Sequence, residues 1–386
     1  MPNDDAPSAV TLADLSGADV HRHLARLRAG GPVSWVESME GFVVTGYPAA
    51  LGVLRDPVTY TVDDPRFSTA QVVGRSMLST DGNEHARHRA PFVAPFRPRQ
   101  VTERFATAIE AQVARRLDAL EARGDAELRA GLAGPLAAAV VARSLGLDGD
   151  DEGVIAELLG WYRTMVAAVG GVAEGRPVPD GAHGAMRSLV AALEPAIGAA
   201  SVLGEARAAG GLTTAEVAAN AAVLMFGGIE TTESMILNAL WFVLSPGVER
   251  PAADEGGAIA AAVEESSRME PAAAFVDRYA TVDGEIAGTR VPAGSFVTVS
   301  LAGANRDPVE FAHPNRFDPS RPNLRRQLAF ATGPHVCLGM DLARLETIAA
   351  VRGVLTRWPG VRLTAESPSP TGLVFRKPGR LDVVWD

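Results

Sequence analysis

The sequence predicts a mainly helical chain with a small β region (α+β), folded as one large domain, residues 1–386. Helical periodicity runs through most of residues 84–269 and again after Met340, whereas short β-prone runs gather near residues 33–45, 280–300 and the C-terminal end. No Gly/Ser-rich or Pro-rich linker separates two halves, which favours a single domain with a loosely ordered lead over residues 1–18. Apolar residues at 47% and charged residues at 21% are ordinary globular usage and exclude wholesale disorder.

The elements follow in order. Val20 to Ala29 has a helical pattern, Val33–Val36 and Phe42–Thr45 form a hairpin around Glu40-Gly41, and Ala49 to Leu54 is a short helix. From Asp56 to Leu78 no helical period is present, so an irregular loop is expected there. Helices are then predicted over Glu84–Phe92, Gln100–Arg123, Ala133–Ser144, Asp151–Val169, Gly184–Arg207, Thr214–Leu244 and Ala258–Met269. The turn-rich stretch Gly175–Gly181 is a connector between two of them, or a lid hinge. Short strands are expected at Ala280–Val282, Glu285–Ile286 and Ser295–Ser300. After an irregular run to Thr332, a last helix spans Met340 to about Arg357, followed by strands near Val361–Leu363 and Leu373–Val384.

Charge and cysteine usage exclude several classes. With 36 Lys+Arg against 46 Asp+Glu the net charge is −10, which disfavours nucleic acid as a partner. The single cysteine, Cys337, cannot form an internal disulfide, and Met1-Pro-Asn-Asp-Asp lacks a basic segment leading into an apolar one, so a cytoplasmic protein is expected. The apolar tract Ala218–Leu244 contains Asn220, Glu230, Glu233 and Asn238, whereas a membrane span needs about 20 mostly apolar residues, so it reads as a buried helix and no membrane is expected. Lys377 is the only lysine beside 35 arginines, a bias attributed to a GC-rich genome.

The chemistry is concentrated in Phe330-Ala-Thr-Gly333-Pro-His335-Val-Cys337-Leu-Gly339, which runs into the last helix. Backbone N–H groups and the helix dipole favour thiolate over thiol, so Cys337 is expected to have a depressed pKa and to serve as a ligand or nucleophile. The competing account is a small buried thiol. Gly333 and Gly339 would let the backbone approach a flat partner. The segment resembles the haem-binding loop of the cytochrome P-450 family, Phe-x-x-Gly-x-x-x-Cys-x-Gly. That resemblance implies the cytochrome P-450 fold, with haem b between the long central helix and the cysteine-loop helix, and Cys337 as the metal ligand. Phe330, His335, Gly339 and Gly227 would line the cofactor.

Four further segments carry the resemblance, in the family's order. Phe226-Gly227-Gly228-Ile229-Glu230-Thr231-Thr232 places two glycines inside a helix, at about 1 kcal/mol each relative to alanine, for close helix packing or for a ligand against the backbone. It is similar to the oxygen-activation motif, which implies O2 as co-substrate, Thr231 as the hydroxyl beside it and Glu230 as a proton donor. Glu265-x-x-Arg268, with Pro314-Asn-Arg316-Phe317 downstream, resembles the structural Glu-Arg-Arg cluster, which assigns Glu265, Arg268 and Arg316. His85 and Arg89, one turn apart, resemble the His-x-x-x-Arg pair that binds haem propionates, and Arg278 falls where a third propionate-binding cation is expected. Without the family, these are a solvated basic face. Two departures stand out: Ala331-Thr332 follows Phe330 where a Phe-Gly pairing is usual, and Phe67–Leu78 is short where relatives often carry a helix, which predicts an open entrance.

Register alone places Val223, Phe226, Ala274 and Val276 at the substrate, an apolar set, with the loop Ala70–Arg75 contributing and Arg75 as the one candidate anchor for a carboxylate. The resemblance implies a monomeric haem-thiolate monooxygenase that hydroxylates or epoxidises a largely apolar small molecule. Its electrons would come from a separate ferredoxin and ferredoxin reductase docking near Cys337, where Arg87, Arg97, Arg99, Arg325, Arg326 and Arg344 would form a basic patch. Oxidative coupling, cyclisation and desaturation are alternatives within the same chemistry. A haem gas sensor and a haem-free enzyme with a nucleophilic Cys337 are alternatives from other classes.

Overall fold

The computed structural model describes residues 10–173, 176–198, 201–251 and 257–386. Helices dominate, and the longest, Thr214–Leu244, forms the axis around which the others pack. Its start is fixed by a capping box: Thr213 Oγ1 accepts from the Glu216 N–H at 3.2 Å, and Glu216 Oε2 accepts from the Thr213 N–H at 2.8 Å. Asn220, Glu233 and Asn238 are buried along it, so this tract is an interior helix: both asparagine amides donate to protein groups and Glu233 pairs with Arg129, while Asn238 Oδ1 has no partner among the described residues. No single helix among the described residues is long and apolar enough to cross a membrane.

Helices Gly134–Ser144 and Met340–Arg357 both lie against the central helix, and the latter also packs on Pro98–Leu120. Glycine decides one of these crossings: a Cβ at Gly353 would stand 2.5 Å from Val113 Cγ1, so the two helix backbones approach only because that side chain is missing.

The sheet region is small. Its main sheet has strand order Val33–Val36, Gly41–Val44, Phe296–Ser300, Phe275–Ala280, Tyr60–Thr61. All pairings are antiparallel except that of Gly41–Val44 with Phe296–Ser300, which joins distant parts of the chain. The strand expected at Ala280–Val282 lies upstream, at Phe275–Ala280, whose last three residues are all buried, so no alternation marks it in the sequence.

Other expectations need correction. Ser68–Val73 is a six-residue helix, too short for periodicity to reveal, held by the buried Val72 and Val73 against helix Glu152–Ala173. The segment expected to lack a helix therefore has one. The helix expected over Gly184–Arg207 is two, Asp180–Ile197 and Val202–Ala208, with Pro195 in the last turn of the first and Ser201 capping the second. Leu12–Ser16 is a capped helix with Leu15 fully buried, so that part of the lead is built into the fold. Of the expected connector, Gly175 lies outside the described residues, and Asp180 and Gly181 already belong to the following helix.

Candidate functional site

A cavity of about 280 Å³ lies between the central helix and the loop Phe330–Gly339. The loop is shaped by its backbone: the Cys337 N–H donates to the Phe330 carbonyl at 2.9 Å, and the Val336 N–H to the Gly333 carbonyl at 3.1 Å. Gly333 has φ +77°, and a Cβ there would meet the Leu54 carbonyl oxygen at 2.3 Å. Its missing side chain therefore serves packing on Leu54 rather than approach to a flat partner. At Gly339 a Cβ would meet nothing within 4 Å.

Cys337 is deep in the molecule and yet its side chain is accessible, because what it faces is the cavity. Burial pushes its thiol up, opposed by the Gly339 N–H and the charges of Arg89 and Arg344. The depressed pKa expected from the helix entrance is thus corrected. Cys337 stands ahead of the helix N-cap Gly339, so a single N–H and two guanidiniums do not outweigh desolvation.

The central helix supplies the other wall. Val223, Gly227 and Thr231, spaced by one turn, all line the cavity. The two adjacent glycines divide their duties. A Cβ on Gly228 would lie 2.5 Å from Val141 Cγ2, which is helix packing, whereas a Cβ on Gly227 would enter open cavity. The Thr231 hydroxyl donates to the Gly227 carbonyl within the same turn. Glu230 is turned away: its Oε1 accepts from Lys377 Nζ at 2.6 Å and its Oε2 from the Tyr162 hydroxyl at 3.4 Å.

The cationic residues predicted from widely separated segments meet at one edge. His335 lines the cavity, its ring 4.3 Å from that of His85, and its Nε2 bonds Asp81 at 2.7 Å. Burial raises Asp81, but hydrogen bonds from His335, Thr61 and the Val62 N–H outweigh it and hold the carboxyl at about 2. Burial, reinforced by His335 and Arg89, pulls His85 down to about 4, and His85 Nε2 is buried with no partner among the described residues. Arg89 donates to the Val336 carbonyl at 2.6 Å and lines the cavity. Arg278 is buried beside Asp81, donates to the Asp277 carbonyl at 2.7 Å, and is lowered by burial.

Several assignments move. Arg316 does not complete the buried cluster: its side chain is exposed and only its carbonyl takes part. Arg321 does, donating from Nε to Glu265 Oε1 at 2.9 Å, while Arg268 donates to both carboxylate oxygens at 2.7 and 2.8 Å. Phe226 packs edge-on against Tyr162, and Ala274 is buried in the N-terminal cluster with its N–H on the Val374 carbonyl, so neither lines the cavity. Val276 does, joined by Ala272, Ala273 and Leu224. Arg75 is exposed and paired with Asp63 at 2.7 Å, so it anchors nothing in the cavity. The basic patch is largely neutralised: Arg344 pairs with Glu264, Arg87 with Glu84 and Glu216, Arg99 with Glu103, and Arg326 with Glu310.

Sequence reasoning missed Glu346. It reaches the cavity from the cysteine-loop helix, fully buried, with Oε2 unpartnered among the described residues and its carboxyl pushed well up by burial. A glutamate nine residues beyond the cysteine, in the helix that the cysteine loop leads into, was the available signal.

Known proteins match this chain along nearly its whole length. A 20-oxo-5-O-mycaminosyltylactone 23-monooxygenase from Streptomyces fradiae is 33% identical over 364 residues, covering 89% of this chain and 83% of its own length. The chain belongs to the cytochrome P-450 family. The family's profile, described as Cytochrome P450, matches residues 259–368. The nocardicin C N-oxygenase of Nocardia uniformis subsp. tsuyamanensis is 32% identical, covering 97% of this chain and 98% of that protein. Among solved structures, a BioI cytochrome P-450 in complex with acyl carrier protein ligated to hexadec-9Z-enoic acid superposes with TM-score 0.84 at 26% identity, covering 97% of this chain and all of that one.

As a cytochrome P-450 monooxygenase, the protein uses haem iron, O2, a small-molecule substrate and redox partners. The residues present fit the haem. A cysteine sulfur faces the cavity, the opposite wall is opened by Gly227, and the half-buried Arg89, the buried Arg278 and His85, whose buried Nε2 has no partner among the described residues, stand at one edge, suited to a carboxylate-bearing group.

Proposed function

We propose that residues 1–386 form one catalytic domain that holds haem b through Cys337 and oxidises a largely apolar small organic molecule by hydroxylation or epoxidation. The observation that carries this reading is the accessible Cys337 side chain in the cavity wall, with Gly227 and Thr231 on the other side. Bound haem supplies an iron at which dioxygen is activated with electrons delivered from outside.

The chain's own residues do the rest. Cys337 would supply the sulfur that holds the iron, and its neighbours Arg89 and Arg344 would compensate the charge it carries when ligated. Arg89, Arg278, His85 and His335 hold the propionate edge, with Asp81 orienting His335. Gly227 leaves open cavity that bound haem and substrate would use, and Thr231 would present its hydroxyl to that space by giving up its bond to the Gly227 carbonyl. Glu230 relays protons to that hydroxyl. Val223, Val276 and Leu224 exclude water and select apolar substrate surface. Among the described residues that line the cavity, the cations are Arg89 and His335, both assigned to the haem edge, which disfavours a carboxylate handle on the substrate.

The two relatives named above carry natural products in their names, which places this enzyme in natural-product metabolism. Electrons come from a small ferredoxin and its reductase, reaching the monomeric enzyme in the cytoplasm on the side of Cys337, with exposed Arg97 and Arg325 as the charges left for steering. The test is the reduced carbon-monoxide difference spectrum. A red-shifted Soret band in the wild type that is lost in Cys337→Ser supports thiolate ligation, and an imidazole-type spectrum in the wild type overturns it.

A further inference from the structure

The only lysine in the sequence is the partner of the acid beside Thr231. Lys377 Nζ lies 2.6 Å from Glu230 Oε1 and 3.0 Å from Glu233 Oε1, and Glu233 Oε1 is also 2.5 Å from Arg129 Nε. The lysine side chain is 9% exposed, so two carboxylates one helical turn apart share two cations in a largely enclosed place.

Holding the C-terminal segment in place does not require this lysine. Asn238 Nδ2 donates to the Arg376 carbonyl at 2.9 Å, the Arg376 N–H donates to the Ala272 carbonyl at 3.0 Å, and Arg376 Nε reaches Glu270 at 2.6 Å. These bonds already tie the segment to the central helix and the strand entrance. Composition sharpens the point: the chain uses arginine 35 times and lysine once. A guanidinium is a rigid planar fork whose donors are fixed relative to one another, whereas an ammonium is a compact charge with three rotatable donors on a flexible stem that moves easily between neighbouring carboxylates.

We propose that Lys377 is a positioning residue for Glu230. It holds the carboxylate away from the cavity and, by shifting onto Glu233, which Arg129 also holds, gives up its bond to Glu230 and frees that carboxylate to take up a proton and turn toward Thr231. The inference rests on the reading of Glu230 as the proton relay. Tyr162, whose hydroxyl is raised by burial and by Glu230, completes the set of groups facing the carboxylate.

A sole lysine makes the test clean. Haem-loaded protein labelled with 15N-lysine gives one side-chain ammonium signal, expected to be slowed in hydrogen exchange and to shift in Glu230→Gln and, separately, in Glu233→Gln. An ammonium signal indifferent to both substitutions overturns the shared pair. Coupled turnover, the peroxide share of consumed O2 and the solvent isotope effect are then compared in Lys377→Arg and Lys377→Met. Both variants are expected to retain the haem spectrum and the melting temperature to within a few degrees, and to lose roughly tenfold in coupled turnover with a larger isotope effect, the low end of what positioned proton transfer contributes. Recovery of wild-type coupling by Lys377→Arg would mean that any fixed charge suffices, and overturns the proposal. If Glu230→Gln leaves coupling and isotope effect unchanged, the relay reading itself fails. If Glu230→Gln uncouples and the lysine variants do not, the relay stands and the role of Lys377 falls.

Discussion

Arg321, five residues beyond the expected Arg316, donates from Nε to Glu265 Oε1 at 2.9 Å inside a cluster whose side chains are at most 5% exposed. Its remaining nitrogens reach the carbonyls of Ala312, His313 and Arg316, so one guanidinium gathers the irregular stretch that leads to the cysteine loop.

Breaking a buried ion pair by removing one partner costs about 3–5 kcal/mol, because the other charge is left uncompensated. Arg321→Ala is therefore expected to lower the unfolding free energy by that amount and to reduce haem incorporation. Arg316→Ala, with an exposed side chain, is expected to stay within about 0.5 kcal/mol of wild type. Urea denaturation of the two variants in parallel distinguishes them, and equal losses would reject the reassignment.

Much of this architecture was legible in the sequence because the signals were local. Thr213 with Glu216, the glycine pair at 227 and 228, and the frame around Cys337 each act within a few residues. What escaped depends on tertiary choice. The Asp318-Pro-Ser-Arg321 turn puts a second arginine as near to Glu265 as the first, and nothing local decides between them. The helical face of Phe226 was ambiguous until Tyr162 supplied its ring partner. The isolated lysine looked like composition because its two acids are about 150 residues upstream, and Glu346 went unread because only tertiary packing buries its carboxyl in the cavity wall.

The adjacent glycines of the central helix give an opposed pair of outcomes. Gly228→Ala drives a Cβ to 2.5 Å from Val141 Cγ2 and is expected to cost about 1–3 kcal/mol, with recovery in the double variant Gly228→Ala/Val141→Ala. Gly227→Ala meets no atom within 4 Å, so in haem-free protein it gains up to about 1 kcal/mol of helix propensity. The same methyl occupies cavity needed by haem and substrate. Stability and haem occupancy are thus expected to move in opposite directions at Gly227 and together at Gly228, read by denaturation and by the Soret absorbance per protein.

Backbone conformation in the cysteine loop supplies another contrast. Ala331 holds φ +55°, a left-handed conformation that costs an L-residue roughly 1–2 kcal/mol. Glycine adopts it freely but loses more entropy on folding, so Ala331→Gly is expected to gain roughly 0.5–1 kcal/mol. Gly333→Ala combines φ +77° with a contact of 2.3 Å to the Leu54 carbonyl oxygen, a backbone atom with no room to retreat. It is expected to destabilise the loop beyond the strain of Ala331 and to displace Cys337, seen as a loss of the thiolate spectrum even where the protein remains folded.

Two buried ionisable groups, His85 against His335 and Glu346 in the cavity wall, push stability in opposite directions with pH. His85 falls from an ordinary 6.5 to about 4 in the folded chain. Between those values the unfolded state binds more protons, so this residue makes stability fall as pH drops from about 6.5 toward about 4. Glu346 is raised well above its ordinary 4.5, so above that pH the folded state binds more protons and stability falls as pH rises toward its folded value. In haem-free protein the two slopes oppose one another from about 4.5 up to the folded value of Glu346 or to 6.5, whichever comes first. Glu346→Gln removes its slope, so its melting temperature is expected to climb more steeply with pH there than that of wild type. His85→Asn is expected to flatten or invert the dependence. Melting curves at half-unit steps from pH 4 to 8 read both effects, and parallel profiles for wild type and Glu346→Gln would show that the Glu346 carboxyl titrates alike in the folded and unfolded chain, contrary to its unpartnered burial.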